Sequence, residues 1–337
     1  MKLAIIGVED SGRATIFQAL TQRGESGPRE SRVAAVRVPD PRVDQLSALY
    51  RPKKTTFAQV EYSLPAAPGG REGRAESAWT EVRPADALIV VARNFGNGKP
   101  AAPLVDARRL EADMVFADFM VVEKRLERLE ADRKRGKPGS PREQELLLAC
   151  KAELEKDRPL RLTPELAEAP ELRGFTFLSA KPLLLLFNNP EEDAAPPSGS
   201  EGLGSDRLVV RGKLEAEIAA MVPEERSEFL AEYGIAESAM DRVIRRSYEL
   251  LGLTSFFTVG EDEVKAWTIP RGTAAVAAAS EIHSDIQKGF IRAEVVSYEE
   301  LMAAGSQAEA RKRGKFRLEG KTYEVADGDI INFRFNV

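Results

Sequence analysis

The sequence predicts an α/β protein: a doubly wound, mostly parallel sheet carrying an inserted antiparallel helical hairpin and followed by a small β-rich module. Three observations carry that prediction. Short apolar runs at 3–6, 87–91 and 183–187 alternate with helix-like segments, the pattern of strands buried on both faces. A long charged stretch with an apolar seam is broken by glycine and proline and then resumes. Beyond Thr254 the texture changes to short β-rich runs. The 337 residues allow about two domains at roughly 100–200 residues each.

The first strand, Leu3-Ala4-Ile5-Ile6, leads into Gly7-Val8-Glu9-Asp10-Ser11-Gly12-Arg13-Ala14-Thr15, and the helix-like Ile16-Phe17-Gln18-Ala19-Leu20 follows. This is the strand, loop and helix setting of the phosphate-binding frame G-x-x-x-x-G-K-[ST]. Both glycines are kept. Arg13 stands where the frame has its lysine, and Ala14 where it has the hydroxyl that binds Mg²⁺. Backbone N–H groups and the helix N-terminus supply much of such a loop's grip, so Gly7, Ser11, Gly12, Arg13, Ala14 and Thr15 are the candidate phosphate-binding residues. Weaker strand candidates lie at 33–38 and 57–62. Between them, Pro39-Asp40-Pro41-Arg42 reads as structural, with two stiffening prolines and an Asp placed to cap the next helix.

Leu110, Met114, Ala117 and Val121 step by helical intervals, and Val122, Leu126 and Leu129 continue one position over. Gly136-Lys137-Pro138-Gly139-Ser140-Pro141 stops that helix, and Leu147, Cys150 and Leu154 form the stripe of a return helix. The two predict an antiparallel hairpin with solvated, mixed-charge faces. Pro196-Pro197-Ser198-Gly199-Ser200 is a surface loop. Helices are expected at 215–221, at 223–233 with Gly234 as stop, and at 238–251, which ends the α/β domain near Gly252. The module beyond has β-rich runs at 256–259, 264–269, 293–297, 316–318 and 330–335 around an alanine-rich helix at 273–286, a β-grasp-like content.

Charged residues make up 31% of the chain and the net charge is −5, so no global field drives nucleic-acid or membrane binding. One cysteine, Cys150, and one histidine, His283, exclude an intramolecular disulfide, a cysteine zinc cluster and a multi-histidine metal centre. No catalytic residue and no metal ligand is assigned. There is no leader-like pattern at Met1 and no run of 18 uncharged apolar residues, so a cytoplasmic, membrane-free location is expected. Arg311, Lys312, Arg313, Lys315 and Arg317 surround Phe316. They read either as an RNA phosphate contact or as a charged turn before a strand.

Four stretches together resemble one family: the loop at 7–15, Val38-Pro39-Asp40-Pro41-Arg42-Val43-Asp44-Gln45-Leu46, Asn188-Asn189-Pro190-Glu191, and nearly everything from 264 to 337. The last includes Val264-Lys265-Ala266-Trp267-Thr268-Ile269-Pro270, Ile282-His283-Ser284-Asp285 and Gly328-Asp329-Ile330-Ile331-Asn332-Phe333-Arg334-Phe335. With these the chain resembles the YchF, or Obg-like, ATPases, a branch of the translation-factor-like P-loop GTPases that favours ATP. The resemblance implies a G-domain-like P-loop NTPase core at 1–105 and 174–252, a coiled-coil hairpin at 106–173 and a TGS domain of β-grasp fold at 253–337. It implies base contacts from Asn188 and Glu191 of the family's N-x-x-E, in which Glu replaces the guanine-selecting Asp. It also places the Thr15 hydroxyl toward an α-phosphate.

The departures from the family sit in the nucleotide site. Val60-Glu61-Tyr62-Ser63-Leu64-Pro65-Ala66-Ala67 aligns with the family's M-E-F-V-D-I-A-G, which puts Leu64 at the Mg²⁺-linked Asp and Ala67 at the glycine that senses the γ-phosphate. The stretch before Pro39 is shorter than the family's first switch region and lacks its threonine. Arg211-Gly212-Lys213 stands where the family has S-A-K. Two functions therefore stay open. One is a purine-nucleotide binder, ATP preferred over GTP, without a defined Mg²⁺ site, with weak or absent hydrolysis, that associates with ribosome or RNA. The other is a pseudo-NTPase scaffold that no longer binds nucleotide and acts through its coiled coil and TGS domain.

Overall fold

Leu3, Ala4, Ile5 and Ile6 are wholly inaccessible to solvent, which makes their strand the centre of a sheet in the computed structural model. The structure describes residues 1–22, 32–65, 75–96, 98, 100–137, 139–202, 206–232 and 237–336. The elements begin with β1 (Lys2–Gly7), α1 (Arg13–Thr21), β2 (Arg32–Arg37), α2 (Pro41–Tyr50), β3 (Lys54–Thr56), β4 (Gln59–Leu64), α3 (Ala75–Val82) and β5 (Ala87–Arg93). Next come α4 (Pro103–Lys134), α5 (Pro141–Leu154), α6 (Pro164–Ala167), β6 (Leu183–Asn188), β7 (Asp206–Val210), α7 (Gly212–Ala220), α8 (Pro223–Glu232) and α9 (Ala239–Leu250). The chain ends with β8 (Leu253–Val259), β9 (Glu263–Pro270), α10 (Ala275–Ile282), α11 (Ser284–Lys288), β10 (Phe290–Ser297), α12 (Tyr298–Ala304), α13 (Gln307–Lys312), β11 (Arg317–Glu319) and β12 (Asp329–Phe335). Two units separate by contact, Met1–Ala34 with Glu61–Val243, and Ala35–Val60 with Ile244–Val337.

The first unit is built on the sheet ordered β2-β4-β1-β5-β6-β7. From β4 through β1, β5 and β6 to β7 successive strands pair in parallel, with Leu3 opposite Ala87 and Leu88 opposite Leu183. All six residues of β6 are buried, as a strand covered on both faces requires. The chain winds to one side of β1 and then to the other, which places the topological switch point, where open α/β sheets bind ligands, at the carboxyl end of β1.

Helix α4 has two roles along its 32 residues. Ala107, Leu110 and Met114 join Leu88 and Val90 in the core against the sheet. Val122 and Leu129 instead pack with Leu146, Leu147, Cys150 and Leu154 of α5, so the far half of α4 is one leg of the hairpin. Arg125 to Glu143 at 2.7 Å and Lys151 to Glu123 at 2.8 Å brace the legs. At the base of the hairpin Asp118 is fully buried, and its carboxylate accepts from the N–H of Leu178 (3.0 Å) and Ser179 (2.7 Å) and from Arg83 (3.1 Å). Burial pushes the Asp118 carboxyl up, against the pull of those donors.

In the second unit the sheet order is β11-β10-β12-β8-β9-β3. β12 is parallel to β8 and antiparallel to β10, a β-grasp arrangement, with Phe256, Phe290 and Phe333 packed under the alanine face of α10. Three features differ from the sequence expectation. His283 is extended and its Nδ1 accepts from the Asp285 N–H, which splits the helix at 273–286 into α10 and α11. Helices α12 and α13 fill 298–312, and β3 adds a parallel edge to β9. Asp40 caps α2 by accepting from the Arg42 N–H at 2.9 Å. Gly234 and Ala67 lie outside the described residues. Among the described residues no helix is long and apolar enough to cross a membrane.

Candidate functional site

The loop between β1 and α1 closes on itself only because two of its residues are glycines. A Cβ on Gly7 would overlap the Ser11 side chain and lie 2.7 Å from the Val91 carbonyl oxygen. Gly12 has φ +82°, a left-handed conformation that L side chains avoid, and a Cβ there would overlap the Asn188 amide. The Ser11 N–H donates back to Val8 O at 3.2 Å, and Ile16 N–H donates to Gly12 O at 3.0 Å, which starts the helix. Helix α1 has no side-chain cap and no acidic residue in its first turn. Its first N–H groups, from Arg13, Ala14 and Thr15, therefore face the loop with no acceptor in the helix ladder. Ser11 is 1% exposed and its Oγ has no hydrogen-bond partner among the described residues. Orphaned donors around a glycine cradle suit a phosphate.

Two positions that the phosphate-loop frame and the family use for Mg²⁺ carry no ligand here. Ala14 is exposed and carries no hydroxyl, and Leu64, at the end of β4, is a buried apolar side chain. Among the described residues no group of three or more His, Cys, Asp and Glu is placed to hold a metal. Arg13 is drawn elsewhere: its Nη1 donates to the Pro65 carbonyl at 2.9 Å, and burial lowers the pKa of its guanidinium.

Asn188 joins the phosphate loop to the second candidate segment. Its Nδ2 donates to Ser11 O at 3.0 Å and its Oδ1 accepts from the Gly212 N–H at 2.9 Å. One buried amide thus ties three segments, the loop after β1, the end of β6 and the start of α7. Glu191 lies on the surface and pairs with Lys213 at 2.8 Å, a bond that raises the lysine's pKa, while Arg211 donates to the Glu191 carbonyl at 3.4 Å. Neither Pro65 nor Gly212 carries a side-chain signal in the sequence; both act through their backbones.

Four of the five cations near Phe316 face carboxylates. Arg311 reaches Glu294 at 2.9 Å, Arg313 reaches Glu309 at 3.1 Å, Lys315 reaches Glu300 at 3.4 Å, and Arg317 reaches Asp329 at 3.6 Å. Arg311 also lies over the Phe316 ring. The second unit holds a cavity of about 360 Å³ beside Arg42, Tyr248 and Asp327. Arg42 is already held there by Asp40 at 2.9 Å and Asp327 at 2.7 Å. Cys150 is buried, and its thiol is pushed up to about 12 by burial and by Asp118, which disfavours the thiolate.

Residues 253–336 match the family model YchF-GTPase_C, described as a protein of unknown function (DUF933). The chain is 38% identical to the "Ribosome-binding ATPase YchF" of Bacillus subtilis (strain 168) over 362 aligned residues, covering 99% of this chain and 98% of the relative. It is 34% identical to the protein of the same name from Escherichia coli O157:H7, covering 100% of this chain and 99% of the relative. Its fold superposes on the structure of the Schizosaccharomyces pombe YchF GTPase with a TM-score of 0.86 at 26% identity, covering 99% of this chain and 97% of that one. With end-to-end likeness to these proteins in sequence and in fold, and a C-terminal TGS domain, the chain belongs to the YchF ribosome-binding ATPase family.

Proposed function

We propose that this chain binds a purine nucleotide, ATP in preference to GTP, hydrolyses it weakly or not at all, and associates with ribosome or RNA. One observation carries the reading: the loop keeps its two glycines and its Asn188 tether, while Ala14 and Leu64, aligned with two of the family's metal-linked positions, supply no ligand. A Mg²⁺ ion held at those positions would offset the charge that develops during phosphoryl transfer, and Ala14 and Leu64 give it no ligand. This chain's own groups do the rest: backbone N–H groups of the loop and α1 bind the phosphates, and Asn188 fixes the loop against the base-side segment. Glu191 stands where the guanine-selecting Asp would be, which favours ATP over GTP, and it pairs with Lys213 on the surface. Relatives named as ribosome-binding support the partner class, and the TGS domain at 253–337 with its cations at 311–317 is the part assigned to that contact. We assign the nucleotide core to 1–105 and 174–252, the coiled-coil arm to 106–173, and the location to the cytoplasm.

Calorimetric titration with ATP, GTP and ADP tests the binding claim. Micromolar affinity for ATP, weaker for GTP, is expected; millimolar or absent affinity for all three removes it. That result would favour the scaffold reading, which the engagement of Arg13 by Pro65 and of Glu191 by Lys213 also supports. For hydrolysis, Arg13→Lys with Ala14→Ser is expected to leave turnover low, because Leu64 still supplies no carboxylate. Full recovery in that double variant would show that the metal is held by other residues.

A further inference from the structure

Strand β10 carries one residue more than the strand it pairs with. Phe290 lies opposite Phe335, and the next pair in register is Arg292 opposite Arg334, so Ile291 is inserted between them. The insertion lets Phe290 and Ala293, three positions apart, both reach the core under α10. A bulge re-aims side chains, and here Ile291 and Arg292 are both exposed. From Ala293 onward the alternation is regular. Ala293 and Val295 face the core, and Glu294 faces the other way, with Asn332 opposite it on β12 and Leu318 opposite it on β11. Leu318, 61% exposed, and Ile291, 55%, are the most exposed large apolar side chains among the described residues of the second unit.

Cations share that outer face. Glu294 is buried and accepts from Arg311 Nη2 at 2.9 Å and from Arg334 Nη2 at 3.0 Å, so one carboxylate serves two guanidinium groups. Arg292 stands directly across the strand pair from Arg334. Like charges in that arrangement destabilise an antiparallel pair, and an anion seated between them turns the repulsion into attraction. Arg317 belongs to the other face: it lies opposite Val295 and donates to the Tyr323 hydroxyl, whose ring packs against the core. The run at 311–317 is therefore split between two sides of the sheet.

Resting on the ribosome or RNA reading above, we propose that the contact surface is the outer face of β11, β10 and β12, where Arg292 and Arg334 clamp the phosphate backbone of single-stranded RNA. Arg311 stands beside them, and Ile291 and Leu318 form an apolar floor for its sugars and bases. Guanidinium forks match phosphate oxygens two at a time, and their planes stack on unpaired bases. The surface reads charge and backbone, so it binds without regard to sequence.

The test is fluorescence anisotropy of a labelled oligouridylate with the full-length protein across a salt series. Arg292→Gln with Arg334→Gln leaves Glu294 paired to Arg311, so the sheet keeps its buried ion pair. This double variant is expected to bind at least about tenfold more weakly at about 0.1 M salt. Its slope of log affinity against log salt is expected to fall by about 0.7–1.4, the share of one to two single-strand phosphate contacts. Lys53→Gln with Lys54→Gln removes the same charge at the opposite edge of the sheet and is expected to stay within about twofold of the unaltered protein. Equal losses in the two double variants, or none in either, overturn the inference and leave RNA binding standing. Polyglutamate competing as well as unlabelled oligouridylate overturns it in favour of an acidic protein partner. Ribosome cosedimentation without oligouridylate binding overturns the assignment to single-stranded RNA, and loss of both in the unaltered protein overturns the ribosome or RNA reading itself.

Discussion

Replacing Asn188 with alanine removes the amide that holds the phosphate loop to the start of α7. Two hydrogen bonds are lost, Nδ2 to Ser11 O at 3.0 Å and Gly212 N–H to Oδ1 at 2.9 Å, both in buried surroundings. Leaving a buried donor or acceptor unsatisfied costs about 1–3 kcal/mol, so the pair sets a range of about 2–6 kcal/mol. Water admitted to the vacated amide volume recovers part of that, and a loss of about 3 kcal/mol is expected. The internal control is Glu191→Ala, which removes only an exposed ion pair and is expected to cost at most about 1 kcal/mol. The chain has two tryptophans, and in a Trp267→Phe background Trp79, 7% exposed in the core of the first unit, is the only fluorescent reporter of its kind. Urea unfolding followed at Trp79 is expected to shift its midpoint by about 1 M or more in Asn188→Ala and by a few tenths of that in Glu191→Ala. Equal shifts in the two variants would refute the role given to Asn188.

Asp118→Ala strands the N–H groups of Leu178 and Ser179 and leaves Arg83 without its buried partner, so a loss of about 3–5 kcal/mol from the first unit is expected in the same unfolding assay. The pH dependence has a definite sign: a carboxyl whose folded pKa is raised contributes stability that is fully present below the unfolded value of about 4 and is lost as pH rises through the raised folded value. Asp118→Asn should abolish that component of the stability profile above about pH 4, and an unchanged profile would mean the group titrates normally. Arg311→Ala, Lys312→Ala and Arg313→Ala together are expected to weaken ribosome cosedimentation and flatten its salt dependence, by about one to two charges' worth of slope because two of the three are already paired to glutamates. An unchanged sedimentation profile would assign this run to charged surface.

The buried strands were the easiest part to read, since runs such as Leu183-Leu184-Leu185-Leu186-Phe187 are apolar on both faces and fit no other element of that length. The hairpin was legible for a similar reason: its seam and its glycine–proline break are local. β3 was not, because Lys54-Thr55-Thr56 has no pattern of its own and is a strand only through pairing with Glu263, Val264 and Lys265. For α12 and α13 a signal exists: Ser297 and Ser306 each accept from the N–H of a glutamate three residues on, the capping pattern S-x-x-E. In the candidate site the frame of 7–15 is written in the sequence, but the destination of Arg13 is not, since its partner is a backbone carbonyl 52 residues away. Asp118 reads as one more charge on a solvated helix until the chain returns, 60 residues later, with the Leu178 N–H that buries it.

The central proposal is that the loop holds phosphate by its backbone without a metal. The dissociation constant of ATP measured in EDTA and again in excess Mg²⁺ tests it most directly. With Ala14 and Leu64 at the metal positions, the two values are expected to agree within about threefold. A gain of more than about tenfold on adding Mg²⁺ would contradict the account, because it would require a metal site that these residues do not form.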